Sequence, residues 1–233
     1  MNIILQTLFS PVKAFQTLKR ENKFPGMALI ILLVLVAINM ILMIPVTSKI
    51  TTMMMSSMPL PEERREIAIQ VAHKMRYLQV IGGLFSIAVM LFLYSLLLFI
   101  LTAIAKPVLD YVKSLTLVVY SYFAVMIGEL INTALLYFRG LEEIKSPFEI
   151  MLTGVNMFTS VEKAGAPFYT FLSMINPFQI WFVILLSIGL KVFTGMKYRK
   201  VWIIVMLFWL ILVLFSVASV WFSQTAMKKA GIM

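Results

Sequence analysis

The stretch Asn176 to Lys200, NPFQIWFVILLSIGLKVFTGMKYRK, constrains this chain more than any other. It reads as a helix start, a membrane span and a basic stop. Asn176 offers a side-chain oxygen for an N-cap, and Pro177 stands where a helix has no use for an N–H. Phe178 and Trp181 suit a membrane–water interface. The mainly apolar run Ile180 to Leu190 follows, and Lys191, Lys197, Arg199 and Lys200 arrive within ten residues. A short basic loop of this kind stays on the cytoplasmic side. One span is thereby oriented, and alternation orients the others.

Composition agrees with a polytopic membrane protein. Of 233 residues, 61% are hydrophobic and 13% charged, against about 25% charged in soluble domains. The absence of cysteine excludes disulfides, thiolate metal sites and cysteine nucleophiles, and the single histidine, His73, excludes any mechanism needing two. The net charge of +10 comes from basic residues at the ends of apolar runs. It reads as topology signal and anionic-lipid contact, and gives no reason to expect nucleic acid.

The fold class expected is all-α, with five transmembrane helices and an N-terminal interfacial amphipathic helix. Residues 1–25 form the cytoplasmic interfacial segment. Ser10 and Pro11 start its helix, and Leu8, Val12, Phe15 and Leu18 share a face, with Lys13, Lys19, Arg20 and Lys23 elsewhere. Such a helix lies on an anionic leaflet or packs against the first span. The membrane domain covers 26–222, with spans at about 26–46, 78–105, 115–138, 177–193 and 201–222. Extracytoplasmic segments are 47–77 and 139–176. Pro61 opens a charged amphipathic helix that nothing interrupts before the second span, so one helix is expected over 61–105. Ile67, Val71, Met75 and Leu78 form its apolar stripe, placed to meet a partner or to fold back onto 139–167. Gly82, Gly83 and Ser86 mark a face for close helix approach. Lys106, Pro107, Asp110 and Lys113 make a cytoplasmic turn. Phe148, Met151, Leu152 and Phe158 suggest a part of the third loop that dips into the interface. The 20 Lys and Arg residues divide ten and ten between the two sides, but the inside segments are shorter, which puts the N-terminus in the cytoplasm.

Four residues of the third span stand out. Glu129 is the one ionisable side chain well inside an apolar segment, where a carboxylate is expensive and marks function by default. Gly128 pairs with Ala124 as a small-residue contact, and Asn132 lies beside the same face. The readings for Glu129 are interhelical hydrogen bonding, partner binding, or ion coupling. The methionines Met53, Met54, Met55 and Met58 are soft enough for Cu(I), although adaptable packing is the common use of methionine. Glu142–Glu143 resembles the paired glutamates of membrane-embedded CAAX-type proteases, but Ile144-Lys145-Ser146-Pro147 follows in place of the arginine those need, and no histidines stand in later spans. No P-loop is present, and no catalytic or metal residue and no cofactor is expected.

The order Ser10-Pro11-Val12-Lys13-Ala14-Phe15, five spans, Asn176-Pro177-Phe178-Gln179-Ile180-Trp181, Gly189-Leu190, a short basic loop and a last apolar span resembles the Yip family of Rab-interacting membrane proteins, in its bacterial branch. The resemblance implies a five-helix membrane domain with a cytoplasmic N-terminus, in the bacterial cytoplasmic membrane. Eukaryotic members act in vesicle trafficking and carry a long soluble N-terminal region that is not expected here. Some bacterial members look like accessory subunits of ABC-type efflux systems of the macrolide-exporter kind. The function expected is a non-catalytic accessory subunit whose partners are lipids, the permease or ATPase, and an extracytoplasmic adaptor. A small ion-coupled channel or carrier using Glu129 and a membrane-shaping protein are the alternatives. Partner contact or intramembrane packing is expected at Glu129, Asn132, Gly128, Asn176, Pro177, Trp181, Gly189, Ile67 and Val71. Lipid and topology roles fall to Lys191, Lys197, Arg199 and Lys200.

Overall fold

A computed structural model describes residues 3–21, 24–57, 61–105, 109–144 and 149–229. Lys23, Met58, Lys106, Pro107 and Phe148, and the side chain of His73, lie outside what it describes. The described chain is helical, with no strand. Its helices are α1 (Ile3–Phe9), α2 (Pro11–Glu21), α3 (Gly26–Leu42), α4 (Ile44–Ser57), α5 (Glu62–Ile104), α6 (Tyr111–Arg139), α7 (Val161–Ala164), α8 (Ala166–Ser173), α9 (Pro177–Thr194) and α10 (Tyr198–Lys229). Four of these, α5, α6, α9 and α10, contain a stretch long and apolar enough to cross a membrane, and α3 with α4 makes a fifth if that bent pair is one span. The protein is therefore an all-α polytopic membrane protein. At about 1.5 Å per residue the 43 residues of α5 reach about 65 Å, roughly twice the ~30 Å hydrocarbon core.

The contacts divide into two compact units, 1–36 with 85–129 and 177–212, and 37–84 with 130–176 and 213–233. In the first unit α2 docks on α9. Ala14, Phe15 and Leu18 are its buried face, and Lys19 Nζ donates to the Val192 carbonyl at 2.9 Å. A cation at the C-terminal end of a helix satisfies an orphan carbonyl and opposes the dipole. The interfacial segment thus packs on the fourth span. Val12 is 48% exposed and leaves the apolar face expected of it. The buried face of α2 is centred on Ala14, Phe15 and Leu18, and at 3.6 residues per turn Val12 falls about 110° round from its middle, at the edge of that face. An aromatic chain runs through the same unit: Tyr94 edge-on to Phe208, Phe208 against Phe182, and Phe182 edge-on to Tyr122, with centroids 6.0–6.3 Å apart. Most of its buried hydroxyls turn back on their own helices. Thr7, Ser95, Thr116 and Ser187 each donate to the carbonyl four residues earlier.

In the second unit the expected straight span 26–46 is broken. Helix α3 stops at Leu42 and α4 leaves at a 52° bend. Pro45 has no N–H for the Ile41 carbonyl and its ring crowds that turn. The adjacent Leu42 carbonyl accepts from the Tyr137 hydroxyl at 2.6 Å, and Asn39 Oδ1 accepts from the Thr133 hydroxyl at 2.7 Å. The core around this joint is Val46, Leu136 and Ile144, with Met43, Ile50, Ile150 and Leu152 packed on it.

Helix α6 begins where it does because Asp110 caps it. Asp110 Oδ1 accepts from the Lys113 backbone N–H at 2.8 Å, and Oδ2 lies 2.7 Å from Lys113 Nζ. Partial burial pushes the carboxyl up, but the Lys113 hydrogen bonds and charge outweigh that and hold it below the usual carboxylate range. Asp110→Ala should lower stability by about 1 kcal/mol, the ordinary value of an N-cap. Because the folded pKa is depressed, the wild type's advantage should be full above the ordinary aspartate pKa and vanish as pH falls through the folded value. Thermal melts of the two proteins across acidic pH check both the size and the sign.

Candidate functional site

The sequence-predicted residues fall into separate groups. In the first unit Gly128 lets α6 and α9 touch. A Cβ there would lie 2.5 Å from Cγ and 2.7 Å from Cβ of Phe178, directly after Pro177 at the start of α9. Gly189 does the same further along. Its Cβ would fall 2.6 Å from Leu117 Cδ2 and 3.0 Å from the Phe15 ring. The two glycines therefore act as packing residues, one for α6 and one for both α6 and α2. Trp181 is 38% exposed and faces outward from α9. Glu129 is half-buried, and among the described residues it has no hydrogen-bond or ion-pair partner. Two turns earlier on α6, Ser121 Oγ is buried and also without a partner.

The basic loop after α9 is not uniform. Lys191 Nζ donates to the Gly195 carbonyl at 3.3 Å and to the Met196 carbonyl, and lies 5.2 Å from the centroid of the Tyr198 ring. It closes the C-terminal end of α9, where Gly195 takes φ +70°. Lys197, Arg199 and Lys200 are exposed.

In the second unit Asn132 is a clamp. Its Nδ2 donates to the Ile150 carbonyl at 2.8 Å and its Oδ1 accepts from the Leu152 N–H at 2.6 Å. One side-chain amide thus stands in for a strand partner and holds the third loop against α6. Asn156 Nδ2 donates to the Met151 carbonyl at 2.7 Å, and the Val155 N–H donates to the Ile175 carbonyl at 3.0 Å. Asn176 is buried and its Nδ2 donates to the Ser173 carbonyl at 2.9 Å, which closes α8 ahead of Pro177. Of the residues expected to dip into the interface, Phe158 is 83% exposed, while Met151 and Leu152 are half-buried and Leu152 packs on the core around Val46 and Leu136.

The apolar stripe of α5 does not fold back. Ile67, Val71, Met75 and Leu78 are 48–66% exposed. The other face of the helix, Ile69, Ala72, Arg76 and Gln79, lines a small polar cleft with Thr47, Ser48, Thr51 and Thr52 of α4. Ile67 and Val71 precede the most apolar part of α5, which begins at Lys74. Met53, Met54 and Met55 sit on α4, half-buried. Among the described residues no three His, Asp or Glu side chains gather as a metal site would require.

The Yip1 domain family model matches this chain over residues 5–220. The chain belongs to the Yip1 family. No curated protein and no solved structure gives a match. The matched span of this Yip1-domain protein runs from the docked N-terminal helices to the last apolar helix. It includes the Asn132 clamp and both close-packed glycines. Sequence reading missed the roles of Tyr137, Thr133 and Asn39. A signal was present, since all three are polar or amphipathic residues in or beside apolar runs.

Asn132→Leu should leave a loop carbonyl and N–H unpaired and cost on the order of 2–4 kcal/mol locally. Limited proteolysis should then cut within 149–165 faster than in wild type, with α9 and α10 still protected.

Proposed function

We propose that this Yip1-domain protein is a non-catalytic membrane subunit that binds and modulates an ABC-type efflux complex of the macrolide-exporter kind. Its place is the bacterial cytoplasmic membrane, with a cytoplasmic N-terminus. The observation that carries the reading is the exposed stripe Ile67, Val71, Met75 and Leu78. Apolar positions at i, i+4, i+8 and i+11 are the anchors of a helix that lies in a partner's groove. The stripe's first half lies ahead of the most apolar part of α5, within reach of an extracytoplasmic adaptor. Family membership and a sequence with no cysteine and one histidine support the same reading.

Affinity purification of the full chain from its native membrane should bring down the permease, its ATPase or the adaptor. Ile67→Glu with Val71→Glu places two carboxylates in the apolar contact, each at a cost of about 2 kcal/mol or more. Partner recovery should fall about ten-fold or further, with the helical content of the purified protein unchanged. Full recovery with the double variant would reject the stripe as the interface.

A second reading rests on the unpartnered carboxyl of Glu129, which is half-buried within a span. In this reading the protein couples ion movement through Glu129. Proteoliposomes should carry a cation or proton flux that Glu129→Gln abolishes. Wild-type vesicles that stay tight under every gradient would eliminate it.

A further inference from the structure

An open pocket of about 690 Å³ lies in the second unit at the end of α6. That volume falls within the ~300–1,000 Å³ range of small-molecule sites. Leu135, Leu152 and Met157 contribute its apolar wall, and Phe138 and Tyr169 line it as well. Arg139, Glu149, Thr159 and Ser160 supply the polar groups. Phe138 is 89% exposed and the neighbouring Phe158 83% exposed. Aromatics so exposed at the end of a span belong in the headgroup region of a bilayer.

The polar groups have unused capacity. Arg139 spends Nε on Glu143 Oε2 at 3.1 Å, and that pair is exposed, with 36% and 64% of the two side chains accessible. Such a pair is weak. A guanidinium has five N–H donors, and the other four of Arg139 have no partner among the described residues. Among the described residues Glu149, half-buried, has no hydrogen bond or ion pair, and the Thr159 and Ser160 hydroxyls have no partner either. Glycine at 140, with φ +89°, ends α6 immediately after Arg139. The guanidinium therefore stands where the span gives way to the loop.

We propose that this pocket binds a membrane phospholipid with a phosphoethanolamine headgroup. The phosphate meets the Nη groups of Arg139 and the loop hydroxyls, the primary ammonium meets Glu149, and an acyl chain lies along the Leu135, Leu152 and Met157 wall. Charge decides the headgroup. Counting Glu143, the described residues of the rim carry one cation and two carboxylates, which opposes a headgroup of pure negative charge. A zwitterion satisfies both signs. A quaternary ammonium has no N–H to give Glu149, so phosphatidylcholine is the poorer fit.

The test is native mass spectrometry of the full chain loaded with phosphatidylethanolamine, phosphatidylglycerol or phosphatidylcholine of identical acyl chains. Phosphatidylethanolamine should be retained over the other two. Arg139→Gln should lower its retention about three- to five-fold, the loss expected of one rim ion pair. Glu149→Gln should erase the preference over phosphatidylcholine. Glu149 has no partner to lose among the described residues, so this variant decides the matter even if Arg139→Gln fails to fold. Equal retention of the three lipids, or no change in either variant, would overturn the proposal. Competition by soluble glycerophosphoethanolamine as strong as by the lipid would overturn it too, because the apolar wall would then contribute nothing.

Discussion

Within the hydrocarbon of a membrane there is no water, so each polar group of a span must find its partner in protein. The protein meets this demand in two ways. Buried hydroxyls on α1, α5, α6 and α9 bond back to the preceding turn of their own helix, which needs no neighbour and leaves the helix surface apolar. Where a helix breaks, a side chain from another element takes over. The bend at Met43–Pro45 lies beside a carbonyl that Tyr137 fills, and the irregular loop after α6 is held by the Asn132 amide. Against this background Glu129 and the Ser121 hydroxyl, both on α6, have no partner among the described residues, which is why they draw functional attention.

Packing follows from the same economy. No hydrophobic gain accompanies helix association in lipid, so close contact has to come from shape. Gly128 and Gly189 provide it, one against Phe178 and the other against Phe15 and Leu117. The most apolar part of α6 is 67% buried, against 17% for α5 and 22% for α10. Helices α5 and α10 thus offer most of the surface that lipid or partners can meet. The stripe on α5 and the pocket after α6 are both features of the second unit, and they differ in chemistry. One is a ridge with no charge of its own. The other is a concave site with both signs of charge on its rim.

Hydropathy and local chemistry along the chain were enough to determine the class, the apolar segments, the uninterrupted helix from Glu62 to Ile104 and the break before Pro177. These depend on neighbours within a turn or two, and the residues that set them are adjacent in sequence. Of the candidate site, the exposed stripe was legible as a pattern, and Gly128 and Gly189 as small residues. Their contacts were not. Lys19 and Val192 are 173 residues apart, Thr133 and Asn39 are 94, and Asn132 reaches 18 and 20 residues along to Ile150 and Leu152. A polar side chain carries no mark of which distant carbonyl it will meet. Only the tertiary structure decided that α2 docks on α9, that Asn39 meets Thr133 and that Arg139 and Glu149 share a pocket. Each of these pairings is chosen by where the helices lie, and helix placement is set by shape complementarity that a one-dimensional pattern of apolar residues does not encode.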